Sequence, residues 1–153
     1  IGYQVDDLVG QLRRILGTDR VWNVALIGLG NLGRALAAYR GFLKKGFQIV
    51  AAFDSDASKV GQPIPGLESI RVQPLRELKK TAAAKWIRLA ILTVPGEAAA
   101  AVAEECVQSG IQGILNFAPV NLNVPPEVAV SSVDLAVQLE QLAFRLLTSP
   151  PKF

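Results

Sequence analysis

The sequence contains no histidine and only one cysteine, Cys106, among its 153 residues. Histidine is the side chain that most often moves protons in enzymes, and no cysteine spacing typical of a zinc site is present, so we expect neither a metal centre nor histidine-dependent catalysis. A single cysteine cannot form an internal disulfide, which favours a reducing compartment. Because Cys106 lies in an alanine-rich helical segment, we expect a buried and unreactive thiol.

Long apolar runs are also lacking. The longest, such as residues 87–94, are too short to span a bilayer, and no secretory signal pattern opens the chain. Half of the residues are hydrophobic and 19% are charged, as is typical of one globular domain. The net charge of +3 comes from scattered basic residues without a Lys/Arg-rich block. These residues alone do not predict DNA binding, and we expect a cytoplasmic protein without a membrane segment.

A glycine-rich turn is the strongest local signal. An apolar run at 24–27 is followed by Gly28, Gly30 and Gly33 in the spacing G-x-G-x-x-G, and a helical segment then begins. In dinucleotide-binding folds the first glycine permits a tight turn, the second lets a pyrophosphate approach the backbone, and the third allows close packing of helix on sheet. We therefore predict that a dinucleotide contacts the turn, with these residues as candidates: Gly28, Leu29, Gly30, Asn31, Leu32 and Gly33.

An aspartate supports the same interpretation. Asp54 follows a second apolar run, at 48–53, a little over twenty residues after the glycines. An acid at this place accepts hydrogen bonds from the ribose hydroxyls of the adenosine and repels a 2′-phosphate, so Asp54 favours NAD over NADP. Lys59 is near enough in the sequence to reach the same ribose or the edge of the adenine.

Apolar strand-like runs alternate with helix-like segments along the chain. Strands are predicted at 24–27, 48–53, 69–72, 87–94, 111–116 and 128–133, and helices at 31–45, 75–84 and 95–108, with a Pro/Gly-rich loop at 61–66. This alternation predicts the fold class α/β, with a Rossmann-type, right-handed, doubly wound and mostly parallel sheet.

Two further loops follow predicted strands. If the strands at 24–27, 87–94 and 111–116 are neighbours, the loops after the latter two border the place where the nicotinamide would lie. Both loops are mostly apolar, and ordinary loop packing is the alternative for each residue. The candidates are Thr93, Val94 and Pro95 in one loop and Asn116, Phe117, Ala118 and Pro119 in the other.

A catalytic apparatus is not apparent. A dehydrogenase needs a proton donor or acceptor beside the transferred hydride, and the two strand-end loops offer no Lys, Tyr or acid beyond Glu97. We also expect no second domain that could hold a substrate. We therefore predict that the chain is not an enzyme and has no catalytic residues.

Both ends of the chain are predicted to form amphipathic helices. Residues 1–17 form either a packing helix on the sheet or a linker from a missing N-terminal domain. At the other end, Asp134 can begin a helix with a broad apolar stripe. That stripe packs on its own sheet or covers a partner subunit. We expect a linker at 1–17, a nucleotide-binding domain at 18–133 and a dimerisation helix with its tail at 134–153.

The chain resembles the Rex family of redox-sensing transcriptional repressors. The resemblance rests on GLGNLGRALAAYRGF at 28–42, GFQIVAAFDSDASKVG at 46–61 and LTVPGEAAAAVAEECVQSGIQGILNFAPVNLNVPPEVAVSSVDL at 92–135. ILNFAP, followed by VPPEV and VDL, discriminates far better than the glycines. The match covers essentially the whole chain.

The resemblance implies a homodimer that senses the NADH/NAD+ ratio and releases operator DNA when NADH binds. It implies NADH near the dimer interface, a C-terminal helix exchanged between subunits, and operator binding through an N-terminal winged-helix domain that is missing here. Tyr39 and Asp134 match a tyrosine and an aspartate of the family's redox switch. The alternatives are the nucleotide-binding half of an NAD-dependent oxidoreductase, disfavoured by the absence of histidine, and a CoA-binding domain, disfavoured by Asp54.

Overall fold

The computed structural model of the protein describes residues 8–12 and 20–150. Within this part of the chain the strands are β1 (Trp22–Ile27), β2 (Phe47–Asp54), β3 (Pro63–Ile64), β4 (Leu67–Pro74), β5 (Leu89–Leu92), β6 (Gly113–Asn116) and β7 (Ala129–Ser132). The helices are α1 (Asn31–Ala38), α2 (Gly41–Lys44), α3 (Leu78–Lys85), α4 (Gly96–Gln108) and α5 (Leu135–Thr148), with a 3₁₀ turn at Leu75–Glu77 before α3. Residues 8–12 are also helical, and the rest of the predicted linker helix lies outside the described residues.

The strands form one seven-stranded sheet in the order β3-β4-β2-β1-β5-β6-β7. All neighbouring strands are parallel except β3, which runs antiparallel to β4 at the edge. The strand order reverses between β1 and β5, and this switch point opens a crevice beyond the carboxyl ends of the strands. The predicted α/β doubly wound sheet is confirmed, including the adjacency of the strands that end near Gly28, Thr93 and Asn116.

Two apolar layers cover the sheet. On one face α3 and α4 pack around Phe53 and Ile27, and on the other α1 packs around Leu26 and Ile49. Because β1 and β2 are buried on both faces, their inner residues are nearly all apolar rather than alternating. Burial on both faces explains why the apolar runs at 24–27 and 48–53 correctly predicted strands.

The single helix predicted at 31–45 is wrong. The chain leaves the helix at Tyr39, whose backbone is extended with φ −75° and ψ 117°, and α2 follows as a separate short helix. The Tyr39 ring packs edge-on against Phe42, with centroids 4.9 Å apart, and occupies the space where a side chain of Gly41 would lie. Periodicity did not reveal the break because the apolar spacing continues through it.

The loop predicted at 61–66 is also partly wrong, because it contains β3. The Gly61 amide donates to the Val72 carbonyl and the Val72 amide donates to Gln62, so the segment pairs back onto β4 as an edge hairpin. The β4 strand itself is longer than the predicted 69–72. In contrast, β5 and β6 are shorter than the apolar runs that contain them, since apolar residues continue into the buried loops around them.

The C-terminal helix α5 does not pack on its own sheet. It begins at the predicted Asp134, yet every residue of α5 is exposed, including Leu139 and Leu146. An apolar groove of about 370 Å³ also lies open on the α1 side of the sheet, lined by Val24, Ile91 and Leu115 among others. Of the two expectations for this helix, packing on its own sheet is therefore wrong.

Candidate dinucleotide-binding site

The glycine turn connects β1 to α1 at the switch point. Gly28 has φ +103°, a conformation that L side chains rarely adopt, and its amide donates to the Phe53 carbonyl at 2.9 Å. A Cβ on Gly28 would lie 2.8 Å from the Thr93 carbonyl oxygen. The turn therefore requires glycine at this position for both conformation and space.

The other two glycines have different surroundings. A Cβ on Gly33 would overlap the Gly28 carbonyl, so Gly33 lets α1 pack directly on the turn. A Cβ on Gly30 would meet no protein atom within 4 Å. The space over Gly30 is thus open to a ligand, next to the unpaired amide groups that begin a helix.

Asp54 joins the end of β2 to this turn. Its Oδ2 accepts a hydrogen bond from the Leu29 amide at 2.8 Å, and its Oδ1 accepts one from the Asp56 amide at 2.9 Å. Lys59 Nζ lies 3.8 Å from Asp54 Oδ2. A carboxylate has about four lone-pair sites, so these contacts leave acceptor capacity for the hydroxyls of a ribose. The predicted pair of Asp54 and Lys59 is thus brought to the rim of the turn.

Residues at the carboxyl ends of five strands, with two from α4, enclose a cleft of about 480 Å³, within the size range of small-molecule sites. Most sequence-predicted candidates line it: Gly28, Leu29, Gly30, Leu32, Asp54, Lys59, Thr93, Val94, Pro95 and Phe117. Sequence reasoning missed Ile27, Ser55, Leu75, Ala98 and Val102. Ser55 and Leu75 directly follow β2 and β4, so the rule that found Thr93 could have found them once the strand ends were known.

Five candidates do not line the cleft: Asn31, Gly33, Asn116, Ala118 and Pro119. Asn116 is fully buried, and its side-chain amide bonds to its own loop rather than facing the cleft. Ala118 is buried beside it, whereas Pro119 lies against Gly96 at the start of α4. Gly33 is a packing position, as described above. The exposed Asn31 begins α1.

Thr93 borders the cleft but turns its hydroxyl towards the glycine turn. Its Oγ1 donates to the Gly28 carbonyl at 2.7 Å, with the Ile27 carbonyl at 3.3 Å. The hydroxyl therefore braces the backbone of the turn. The side chains left at this end of the cleft, Val94, Pro95 and Phe117, are apolar and carry no titratable group.

The two switch candidates lie elsewhere. Tyr39 is 58% exposed at the break between α1 and α2, and Asp134 caps α5 by accepting a hydrogen bond from the Val137 amide at 3.1 Å. Neither residue lines the cleft. Within a single copy, therefore, neither side chain is placed at the cleft.

Chemically reactive groups are scarce across residues 8–12 and 20–150. No group of three metal-ligating side chains occurs there, and no helix among these residues has the length and apolar character needed to cross a bilayer.

Burial, together with the nearby Glu105 charge, raises the pKa of the Cys106 thiol to about 12. The thiol is therefore protonated at neutral pH and unreactive, as expected.

Comparison with known proteins agrees with this geometry. A family model described as "CoA binding domain" matches residues 19–120. The redox-sensing transcriptional repressor Rex of Desulfitobacterium hafniense is 45% identical over 148 residues, which cover 97% of this chain and 69% of the relative.

Two solved structures of RSP, a Rex-family repressor, are similar at 34% identity and each covers 93% of this chain. One is a complex with NADH (TM-score 0.80, 68% of that protein covered). The other is a complex with NAD+ and operator DNA (TM-score 0.84, 64% covered). The relatives are transcriptional repressors and not enzymes, in agreement with the expectation drawn from the missing proton donors.

Proposed function

The chain belongs to the Rex family of redox-sensing transcriptional repressors, and from that premise we propose that it forms the NADH-sensing and dimerising part of such a repressor. The observation that supports the proposal most directly is the cleft at the switch point, where a hydrogen bond joins the glycine turn to the Asp54 carboxylate. The chain spans 69% of its Rex relative. Operator binding is therefore proposed for the whole protein, through the N-terminal winged-helix domain that the family resemblance implies.

The polar end of the cleft would hold the adenosine and the pyrophosphate. The open space over Gly30 and the first amides of α1 suit the pyrophosphate, since backbone N–H groups and the helix dipole both favour an anion there. Asp54 would accept from the ribose hydroxyls, and its charge opposes a 2′-phosphate. Lys59, paired with Asp54, keeps that carboxylate oriented at the rim. We infer that the preferred cofactor is NAD(H) rather than NADP(H).

The apolar end of the cleft would discriminate between the redox states. The nicotinamide ring is positively charged in NAD+ and neutral in NADH, and a charge buried without a partner is costly. Val94, Pro95 and Phe117 offer no anion to pair with it. NADH should therefore bind more tightly than NAD+, and only such differential affinity can shift a protein between two states.

The dimer is proposed from two apolar surfaces that residues 8–12 and 20–150 leave uncovered. The α5 helix exposes its apolar stripe, and the sheet exposes the groove beside Val24 and Ile91. Because α5 does not cover its own groove, we propose that the helix packs against a second copy, exchanged as the family resemblance implies. Tyr39 and Asp134 would then act as switch residues near this contact. A repressor of this kind works in the cytoplasm, beside the DNA and the NADH pool.

Titration calorimetry with NADH, NAD+, NADPH and CoA tests the proposal directly. We expect NADH to bind most tightly, NAD+ and NADPH more weakly, and CoA not at all. Equal affinities for NADH and NAD+ would eliminate the sensor function while leaving a dinucleotide site.

A second candidate, CoA binding, is favoured by the match of residues 19–120 to the CoA binding domain family, to which the chain also belongs. That family name describes a shared fold and turn. CoA carries a 3′-phosphate on its ribose, which Asp54 would repel. Binding of CoA in preference to NADH would establish the second candidate and overturn the first.

A further inference from the structure

The loop that carries Phe117 is held by one buried side chain. Asn116 is the last residue of β6 and is completely inaccessible to solvent. Among the described residues it is the one polar residue in the buried class. Its Nδ2 donates to the Ala118 carbonyl at 3.3 Å and to the Val120 carbonyl at 3.0 Å, while its Oδ1 accepts from the Ala118 amide at 3.0 Å. All three bonds go to the loop that directly follows it.

These bonds determine where Phe117 stands. The backbone amide of Phe117 donates to the Leu92 carbonyl at 2.9 Å, which continues the pairing of β6 with β5. Immediately after Phe117 the chain turns back, and the hydrogen bonds of the Asn116 side chain stabilise that turn. Val120, at the far end of this fold, packs over Gly96, where a Cβ would lie 3.1 Å from Val120 Cγ1. Phe117 is thus fixed on both sides, and its ring lines the apolar end of the cleft.

We propose that Asn116 is a positioning residue that sets the selectivity for the reduced nicotinamide, an inference that rests on the proposed NADH-sensing function. The apolar wall discriminates between a neutral and a charged ring only while Phe117 excludes water from it. Asn116 itself does not line the cleft. It holds the wall in place from the core, whereas Thr93 braces the glycine turn on the other side of the cleft.

Asn116 and Thr93 stabilise different parts of the cleft, so their replacement should change ligand binding in different ways. Replacement of Asn116 leaves buried backbone groups without partners, so the loop should shift and Phe117 should leave its position. The adenosine half of the ligand, held at Asp54 and Gly30, does not depend on this loop. Loss of the Thr93 hydroxyl loosens the turn instead, so it should weaken every ligand that carries the ADP moiety.

The test is calorimetry with NADH, NAD+ and ADP-ribose on wild type, Asn116→Ser, Asn116→Thr and the contrasting Thr93→Val. For the Asn116 variants we expect NADH affinity to fall about tenfold and the NADH/NAD+ ratio to shrink, with ADP-ribose changing by less than about twofold. Thr93→Val should weaken all three ligands by similar factors.

The inference is overturned if folded Asn116 variants keep the wild-type NADH/NAD+ ratio, or if NADH and ADP-ribose weaken together. Asn116→Thr keeps one acceptor and adds no charge beside the apolar wall, so it serves if Asn116→Ser does not fold. Failure of the sensor function itself has a different signature, because wild type would then show no preference for NADH over NAD+.

Discussion

The cofactor cleft and the C-terminal helix are opposite cases within one chain. In the cleft, the turn, Asp54 and Thr93 are joined to each other by hydrogen bonds supplied by the chain itself. The α5 helix has its backbone hydrogen bonds and its Asp134 cap, but none of its apolar side chains is buried within the described residues. One region has its polar groups paired within a single copy, whereas the other leaves its apolar side chains exposed.

From this difference we expect ligand binding and assembly to depend on different parts of the chain. A cleft that is preorganised by its own chain can hold a ligand without a partner, because the cost of ordering its groups is met on folding. An isolated helix of α5's length is marginal in water, and most helical stability in proteins comes from packing an apolar face. We therefore expect the ligand site to survive changes that abolish assembly.

The largest effect should follow from charges on the α5 stripe. In the double variant Leu139→Asp, Leu146→Asp, both exposed apolar side chains become acidic, and burial of two unpaired charges should weaken the dimer at least about 100-fold. Sedimentation velocity measures the loss. The matched control is Gln138→Asp, Gln141→Asp on the polar side of the same helix.

The monomeric variant should still bind ADP-ribose, which separates the two regions. A variant that stays dimeric, or a control pair that dissociates equally, would contradict the role of the stripe.

Two glycines of the turn offer a matched pair inside the cleft. In Gly33→Ala the new methyl collides with the Gly28 carbonyl, so we expect a loss of about 3 kcal/mol in the free energy of unfolding. In Gly30→Ala the methyl meets no protein atom, so stability should stay within about 0.5 kcal/mol while NADH affinity falls about tenfold or more. Urea unfolding and calorimetry measure the two quantities. Wild-type affinity in Gly30→Ala would show that the ligand does not pass over Gly30.

Asp54→Ala should weaken NADH by about 10- to 100-fold, the value of hydrogen bonds to a charged group, and narrow the difference from NADPH. Asp54→Asn keeps an acceptor for the Leu29 amide. It therefore separates the effect of the negative charge from the effect of the hydrogen bond to the turn. Asp56→Ala is the control, since Asp56 is exposed and bonds to Ser58 rather than to the turn. Unchanged discrimination against NADPH in Asp54→Ala would show that the ribose lies elsewhere.

The smallest effect is expected at Asp134. Asp134→Ala removes the cap on the Val137 amide and should cost about 1 kcal/mol of stability, whereas Asp134→Ser retains a capping oxygen and removes only the charge. NADH affinity should change by less than about twofold in both, because Asp134 lies outside the cleft. In the full-length protein a gel-shift assay checks the switch. If NADH releases operator DNA normally from Asp134→Ser, the negative charge of Asp134 has no role in the switch.

The success of prediction differed between types of residue. Gly28, Asp54 and the apolar run of β1 were predictable because each obeys a local rule of backbone conformation, strand burial or distance along the chain. Asn116 and Thr93 were assigned to the ligand because they follow strands, and the structure turns both polar groups onto the backbone. A strand end locates a residue near a crevice, but the direction of its side chain depends on which unpaired carbonyls lie beside it.

By itself, the sequence determined the alternation of strands and helices, the turn at Gly28, the acid at Asp54 and the cap at Asp134, because each depends on neighbours within a few residues or on burial of a whole strand. Tertiary structure alone decided the break at Tyr39, the inward amide of Asn116 and the exposure of α5. The Asn116 bonds are local, but the loop that receives them takes its shape from the pairing of Phe117 with Leu92 and from the packing of Val120 over Gly96. The end of α1 before Tyr39 likewise lies against Gly66, far away in the sequence. An apolar stripe has the same periodicity whether it covers its own sheet or another copy, and only the exposure of the α5 side chains showed that this helix leaves its own sheet uncovered.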